Sequence, residues 1–177
     1  MDRIWTVPNI LSMFRILCVA VMIGAFCAEN IMVAMVVFII AILTDLVDGY
    51  IARHFNQITN LGKLLDPLAD KLLVLSALVA FYALDILPLW VVAIAIVKEL
   101  IMVIGSLFFL KKKDVVVFSN LFGKIAATVF YLAIILTFLY QYVAPVHMIV
   151  MIVALVMSVA AMVQYGIITL RRIYGKA

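Results

Sequence analysis

Four aspartates lie inside or beside apolar sequence and are the residues best suited to chemistry: Asp45, Asp48, Asp66 and Asp70. The first two are three residues apart and the last two are four apart, so each pair lies on one face of its own predicted helix. A carboxylate at membrane depth is costly unless it is paired, metal-bound or hydrated. Two helices that each offer two acids to one cleft would supply the hard oxygen ligands that Mg²⁺ or Mn²⁺ prefers.

The residues between the two acidic pairs have physical roles of their own. Gly49 and Ala52 remove side-chain bulk from a helix face, so that a ligand or a neighbouring helix can approach the backbone. Arg53 offers a rigid fork of donors that can bind a phosphate. Gly62 shapes the entry into the next helix. Pro67 is compatible with that helix only in its first turn or where a kink is accommodated.

The elements that position these residues follow from composition. The chain has 177 residues, of which 69% are hydrophobic and 12% charged, which excludes a soluble globular domain. The fold class predicted is all-α, a bundle of six transmembrane helices forming a single domain over residues 1–177, without tandem repeats. The six apolar runs are near the length that crosses a bilayer: Asn9–Cys27, Ile31–Arg53, Gly62–Ala83, Pro88–Leu110, Asn120–Gln141 and Val146–Leu170.

The amino-terminal residues predict a short interfacial helix over Met1–Val7, anchored by the indole of Trp5. A signal peptide is not expected, because the first apolar run lacks a small-residue cleavage site and is followed by further spans. Cys18 and Cys27 are interpreted as small apolar packing residues.

The basic residues predict the orientation in the membrane. If the amino terminus is cytoplasmic, every Lys and Arg outside the spans lies inside, whereas the outside links hold Glu29, Asp85 and Gln141. This arrangement puts the aspartates on the cytoplasmic side of a cell membrane. The net charge of +4 then reflects topology and contact with anionic membrane lipids, and no nucleic-acid partner is expected.

The acids and their neighbours follow the pattern D-x₂-D-G-x₂-A-R-x₈-G-x₃-D-x₃-D, with Asp45 first and Asp70 last. This pattern resembles the signature of the CDP-alcohol phosphotransferases, membrane enzymes that make phospholipids from a CDP-activated donor and an alcohol. Acids that merely pair with Arg53, Lys63 and Lys71 would explain the charge but not the spacing. The resemblance implies that two Mg²⁺ or Mn²⁺ ions are held by Asp45, Asp48, Asp66 and Asp70, with Asp70 also the general base. It further implies a CDP-donor site at Asn9, Ser12, Asp48, Gly49, Ala52, Arg53 and Gly62.

The segment from Pro8 to Arg15 resembles the P-N-x-L-[ST]-x-x-R opening of this family. Asn9 and Ser12 are three residues apart and present a polar face within reach of a nucleotide base, although capping of the first span is an equal alternative. Arg15 lies deeper, so it is expected to pair with a carboxylate or a phosphate rather than to contact lipid.

The Gly123–Lys124 segment resembles the start of the fifth span in the glycerophosphate-using branch of the family. That branch often has a second lysine and an Arg-Glu pair on the fourth span, whereas this sequence has Ala126 and Lys98–Glu99. The acceptor-binding residues expected are Lys124, Lys98, Arg15 and Lys111. The alternatives are an ion pair between helices for Lys98 and Glu99, lipid headgroup binding for Lys111 to Lys113, and a topological role for Lys124. His147 is expected to be structural.

The resemblance favours transfer of a phosphatidyl group from CDP-diacylglycerol to sn-glycerol 3-phosphate, by a homodimer with its interface on the third and fourth spans. One alternative is a cardiolipin synthase that uses phosphatidylglycerol as acceptor; inositol phosphate and serine are less favoured. A different class, a divalent cation carrier, would explain the carboxylates but not the fixed gaps that include Gly49, Ala52, Arg53 and Gly62.

Overall fold

The computed structural model describes residues 6–54, 62–110 and 121–174, except for the side chains at 8, 49, 50, 52–54, 63, 64, 106–110 and 169–174. These residues form helices and short links, and no strand occurs among them, which confirms the all-α prediction. The chain divides into two compact units, Met1–Leu84 and Asp85–Ala177.

The first unit consists of α1 (Val7–Cys27), α2 (Ile31–His54) and α3 (Gly62–Ala83). Proline lies in the first turn of α1, where its missing N–H costs no helical hydrogen bond. A tight link joins α1 to α2, with Glu29 at a φ of 56°. Asn30 ends that link and caps α2, because its side-chain Oδ1 accepts a hydrogen bond from the backbone N–H of Val33 at 3.2 Å.

Helix α3 contains Pro67 as its sixth residue. This position lies beyond the first turn, so the ring removes the N–H that would bond back to the carbonyl of residue 63. The helix nevertheless continues to Ala83. The helix therefore accommodates Pro67 in its interior, which is the second of the two possibilities given for this proline.

The interior of the first unit is built from small and aromatic residues. Helix α1 packs against both α2 and α3. Ala34 and Ala41 on α2 and Ala77 on α3 are fully buried, and such small side chains let helices approach closely. Phe26 and Phe81 meet edge to face, with ring centroids 5.8 Å apart. The packing fixes how α1 is rotated against α3.

The second unit consists of α4 (Leu89–Leu110), α5 (Leu121–Phe138), α6 (Tyr140–Val143) and α7 (Val146–Tyr174). Helix α7 packs against α4 and α5. The buried residues of α5 recur at helical spacing and so form one face: Ala126, Phe130, Ala133, Ile134, Thr137 and Phe138. The fifth predicted run was too long at its carboxyl end, because the helix stops at Phe138 and a separate turn of helix follows.

Four described helical segments are long and apolar enough to cross a membrane: Asn9–Cys27, Ile31–Asp48, Leu121–Phe138 and Val146–Ile168. They identify the chain as a multi-pass membrane protein. Helix α3 does not meet the same standard, since Asp66, Asp70 and Lys71 interrupt its apolar sequence. Six crossings therefore stay a prediction. The expected interfacial helix over Met1–Val7 lies almost entirely outside the described residues.

Candidate active site

A polar stripe on α1 faces the other helices of the first unit. Asn9, Ser12 and Arg15 follow one another at three-residue spacing, and their exposed fractions are 1%, 0% and 0%. This spacing keeps them on one face of the helix, which continues as the buried apolar residues Met22 and Phe26. Helix α1 therefore contributes both packing and polar contacts to the unit.

Arg15 bridges the two acids of α2. Its Nη1 lies 2.7 Å from Asp45 Oδ1, and its Nη2 donates a hydrogen bond to Asp48 Oδ2. The Asp48 side chain is 4% exposed, whereas that of Asp45 is 42% exposed. Asp48 is thus buried against the arginine, whereas Asp45 is partly exposed to solvent. The expectation that Arg15 pairs with a carboxylate is confirmed.

The acids of α3 join the same cluster. Ser12 donates a hydrogen bond to Asp66 Oδ1, and Lys71 Nζ lies 3.5 Å from Asp70 Oδ2. Asp45 lies within electrostatic range of both Asp66 and Asp70. The four aspartates, here called the acid cluster, are therefore gathered at one place within the first unit.

The chemistry of the acid cluster suits a hard divalent cation. Its donors are carboxylate oxygens, of which Asp45 and Asp48 pair with Arg15 and Asp70 pairs with Lys71. Carboxylate oxygens are the ligands that Mg²⁺ prefers in proteins. Among the described residues, however, no three acidic, histidine or cysteine side chains are placed so that they could bind one metal ion together. The donors fit such an ion, but Arg15 engages two of them.

Several predicted site residues fall outside the described part of the chain. Residues 49, 52 and 53 lie within α2, but their side chains are outside the described part of the structure. Lys111 lies in the range 111–120, beyond the described residues.

Gly62 is the first residue of α3 and is buried. The predicted roles of Gly62 and of residues 49, 52, 53 and 111 in donor and acceptor binding stay predictions.

Lys98 and Glu99 form a buried pair in the middle of α4. Lys98 Nζ lies 2.6 Å from Glu99 Oε1, and the two side chains are 9% and 6% exposed. The ammonium also lies over the ring of Phe130 on α5, 4.3 Å from its centroid. The printed ion pair joins two residues of α4, and the aromatic contact of Lys98 reaches the neighbouring helix α5.

The remaining candidates of the second unit lie near helix ends. Lys124 is the fourth residue of α5 and is exposed, as expected for a lysine one turn inside the span. His147 is the second residue of α7. Its ring is buried and meets Tyr140 at a centroid distance of 6.3 Å. That packing agrees with a structural role.

One contact at these sites agrees with an alternative drawn from the sequence, and another has no sequence signal. Lys71 pairs with Asp70, the predicted base, as in the alternative in which basic residues pair with the acids. Phe130 carries no sequence signal of its own, since it is one of eleven phenylalanines in an apolar chain.

Comparison with known proteins agrees with this arrangement. A family model described as CDP-alcohol phosphatidyltransferase matches residues 5–160. A CDP-diacylglycerol--glycerol-3-phosphate 3-phosphatidyltransferase of Bacillus subtilis is 49% identical over 90 residues, which cover 51% of this chain and 46% of that protein. A cardiolipin synthase (CMP-forming) of Streptomyces coelicolor is 38% identical over 114 residues, covering 60% and 53%.

A probable phosphatidylglycerophosphate synthase of Mycobacterium tuberculosis is 32% identical over 182 residues, which cover 98% of this chain and 86% of that protein. The Bacillus and Streptomyces matches span about half the length of those two relatives. The family match extends from α1 into α7 and includes the acid cluster with the arginine that binds it. The chain belongs to the CDP-alcohol phosphatidyltransferase family.

Proposed function

We propose that this protein transfers a phosphatidyl group from CDP-diacylglycerol to sn-glycerol 3-phosphate and releases CMP. The observation that carries the proposal is the acid cluster, in which carboxylates from α2 and α3 meet around the polar face of α1. The names of the Bacillus and Mycobacterium relatives favour glycerol 3-phosphate as the acceptor.

The reaction forms one phosphorus–oxygen bond and breaks another. The hydroxyl oxygen of glycerol 3-phosphate attacks the phosphorus that bears the diacylglycerol, and the bond from that phosphorus to the bridging oxygen breaks. CMP leaves with the bridging oxygen. The proton of the attacking hydroxyl passes to a carboxylate oxygen of Asp70, which needs only to be positioned within hydrogen-bond reach.

Asp45, Asp48, Asp66 and Asp70 would hold two Mg²⁺ or Mn²⁺ ions in this proposal. Bound there, such ions would neutralise charge on the pyrophosphate oxygens and stabilise the departing CMP. The side chains supply oxygen ligands from two helices, and α1 contacts these acids through Ser12 and Arg15. The partly exposed Asp45 provides the open side at which a substrate phosphate can approach.

The donor would lie along the same face of α1 and α2. Asn9 and Ser12 lie on one face of α1 and would contact the nucleotide base. Gly49 and Ala52 would leave space for the pyrophosphate beside Asp48. Arg53 would contact a phosphate oxygen, and Gly62 would allow the chain to enter α3 beside the ligand.

The acceptor phosphate would be bound by basic residues: Lys124, Lys98, Lys111 and Arg15. Lys124 is the foremost candidate, because its exposed side chain is long enough to turn towards a ligand or the cytoplasm. Lys98 would contribute less directly, since Glu99 and Phe130 already hold its ammonium.

In the membrane we expect six crossings within one domain, with the amino terminus and the site on the cytoplasmic side. The distribution of Lys and Arg supports this orientation. We also expect a homodimer in which each chain keeps a complete site. Crosslinking in native membranes tests the dimer, and recovery of monomer alone would remove it.

An acceptor panel tests the activity. Purified protein is given CDP-diacylglycerol and Mg²⁺ with glycerol 3-phosphate, phosphatidylglycerol, inositol phosphate or serine, and both CMP and the lipid product are measured. We expect CMP release coupled to phosphatidylglycerophosphate. Consumption of phosphatidylglycerol instead would identify a cardiolipin synthase, an alternative that the Streptomyces relative supports. Divalent cation flux into liposomes without CMP release would identify a carrier.

A further inference from the structure

We propose that Arg15 is an internal counter-ion that competes with divalent cations for Asp45 and Asp48, so that metal binding requires the guanidinium to leave these carboxylates. The inference rests on the proposed metal-dependent function. It assigns to Arg15 a property that its position in the sequence does not suggest, namely that it weakens metal binding.

The contacts of Arg15 support competition. The guanidinium is fully buried and touches one oxygen of each acid on α2, through Nη1 at 2.7 Å from Asp45 and through the Nη2 hydrogen bond to Asp48. A ligated cation would need oxygens of the same two carboxylates. Each carboxylate keeps a second oxygen, but a divalent ion bound there would lie only a few ångströms from the guanidinium, and like charges at that separation repel strongly inside a protein.

The geometry of the acids supports the same conclusion. No three acidic side chains of the described residues converge as a ligand set, although the four aspartates are gathered in one cluster. Asp48 is sealed against Arg15 and has almost no exposed surface. Arg15 thus holds Asp45 and Asp48 in positions from which they would have to move to bind a metal ion.

Arg15 is held incompletely, which makes its release feasible. Among the described residues, Nε is buried without a hydrogen-bond partner, and Nη1 is close to Asp45 without the alignment of a hydrogen bond. A buried donor left without an acceptor carries a free-energy cost. The long, flexible stem of arginine lets the released guanidinium turn to another anion, such as a substrate phosphate.

A direct measurement of metal binding tests the proposal. The full chain is purified in non-ionic detergent and stripped of metal with a chelator. Binding of Mn²⁺ is followed by the loss of the free-ion electron paramagnetic resonance signal, and the thermal unfolding midpoint is recorded with and without Mn²⁺. The proteins compared are the wild type, Arg15→Met, Arg15→Lys and the control Lys176→Met, which removes one positive charge from the carboxyl-terminal residues.

We expect Arg15→Met to have a lower unfolding midpoint without metal and to bind Mn²⁺ about tenfold or more tightly than the wild type, because a competing charge-assisted contact is gone. Arg15→Lys should bind Mn²⁺ with intermediate affinity, since one ammonium cannot contact two carboxylates as a planar fork does. Lys176→Met should match the wild type.

Unchanged or weaker Mn²⁺ binding in the Arg15 variants, with normal binding by the wild type, would overturn the inference and make Arg15 a residue that positions the acids for metal. If Arg15→Met does not fold, Arg15→Lys decides by the same criterion. Absence of Mn²⁺ binding in the wild type and in both Arg15 variants would instead overturn the metal assignment of the proposed function, and the inference with it.

Discussion

The Ser12 hydroxyl donates a hydrogen bond to Asp66 Oδ1 and so joins α1 to α3 across 54 positions of the sequence. Ser12 is fully buried, and α1 carries none of the four aspartates. The position of the third acid of the cluster therefore depends on a helix that contributes no acid itself.

Substitution of Ser12 tests this dependence. Ser12→Ala leaves Asp66 without its hydroxyl donor, so we expect a loss of about 1 kcal/mol in the free energy of unfolding and a lower kcat. Ser12→Thr keeps the hydroxyl and should retain more activity. Ser76→Ala is the matched control, because the Ser76 hydroxyl bonds to Leu72 of its own helix at 2.7 Å. Equal effects of Ser12→Ala and Ser76→Ala would contradict the role of the contact.

Replacement of Asp66 tests the assignment as a metal ligand. Asp66→Asn keeps the shape of the side chain but removes its charge, so we expect turnover to be lost together with the response to Mg²⁺. The measurement is CMP release as a function of Mg²⁺ concentration. Asp85→Asn is the control, because Asp85 is exposed in a link at a φ of 56°, a conformation that asparagine tolerates. An active Asp66→Asn enzyme would remove the assignment.

Replacement of Asp70 separates catalysis from binding. Asn cannot accept the proton of the attacking hydroxyl, so Asp70→Asn should lower kcat strongly while most of the affinity for CDP-diacylglycerol is kept. Equilibrium binding of the donor and single-turnover rates are the measurements. If donor binding and rate fall by the same factor, Asp70 is primarily a metal ligand.

The buried pair on α4 predicts a specific pattern of stability. Lys98→Met removes the ammonium that pairs with the buried Glu99 carboxylate, which should cost roughly 3–5 kcal/mol in the free energy of unfolding. The double variant Lys98→Met/Glu99→Gln removes both charges and should recover most of that loss. Unfolding in detergent is the measurement. A double variant as unstable as Lys98→Met would show that the aromatic contact with Phe130, rather than the ion pair, carries the stability.

Replacement of Lys124 tests whether this lysine binds the acceptor phosphate or only helps to set the membrane topology. For Lys124→Ala we expect the KM for glycerol 3-phosphate to rise roughly tenfold or more while the KM for CDP-diacylglycerol stays nearly constant, because one charge-assisted phosphate contact is lost. Lys124→Arg should retain most of the affinity. A change in membrane insertion or expression with both KM values unaltered would leave Lys124 a topological residue.

The sequence predicted the helices well because apolar runs of membrane length have few alternatives. The spacing of Asp45 and Asp48 correctly placed both acids where one side chain can reach them. It did not predict that Arg15 holds both or that Ser12 meets Asp66, because these contacts depend on how α1 is rotated against α2 and α3. The end of α5 at Phe138 was missed since neither glycine nor proline marks it.

The burial of Arg15 also constrains how the protein can be made. A charged side chain near the middle of a membrane helix costs about 2.5–3.5 kcal/mol on insertion scales. When the ribosome has produced α1, Asp48 is still 33 positions from Arg15 along the chain and has not been made. The tight link at Glu29 lets α2 fold back on α1 directly. Stable integration of the first helix would therefore wait for the second, and the two would leave the translocon as a hairpin in which Arg15 is already paired with Asp45 and Asp48.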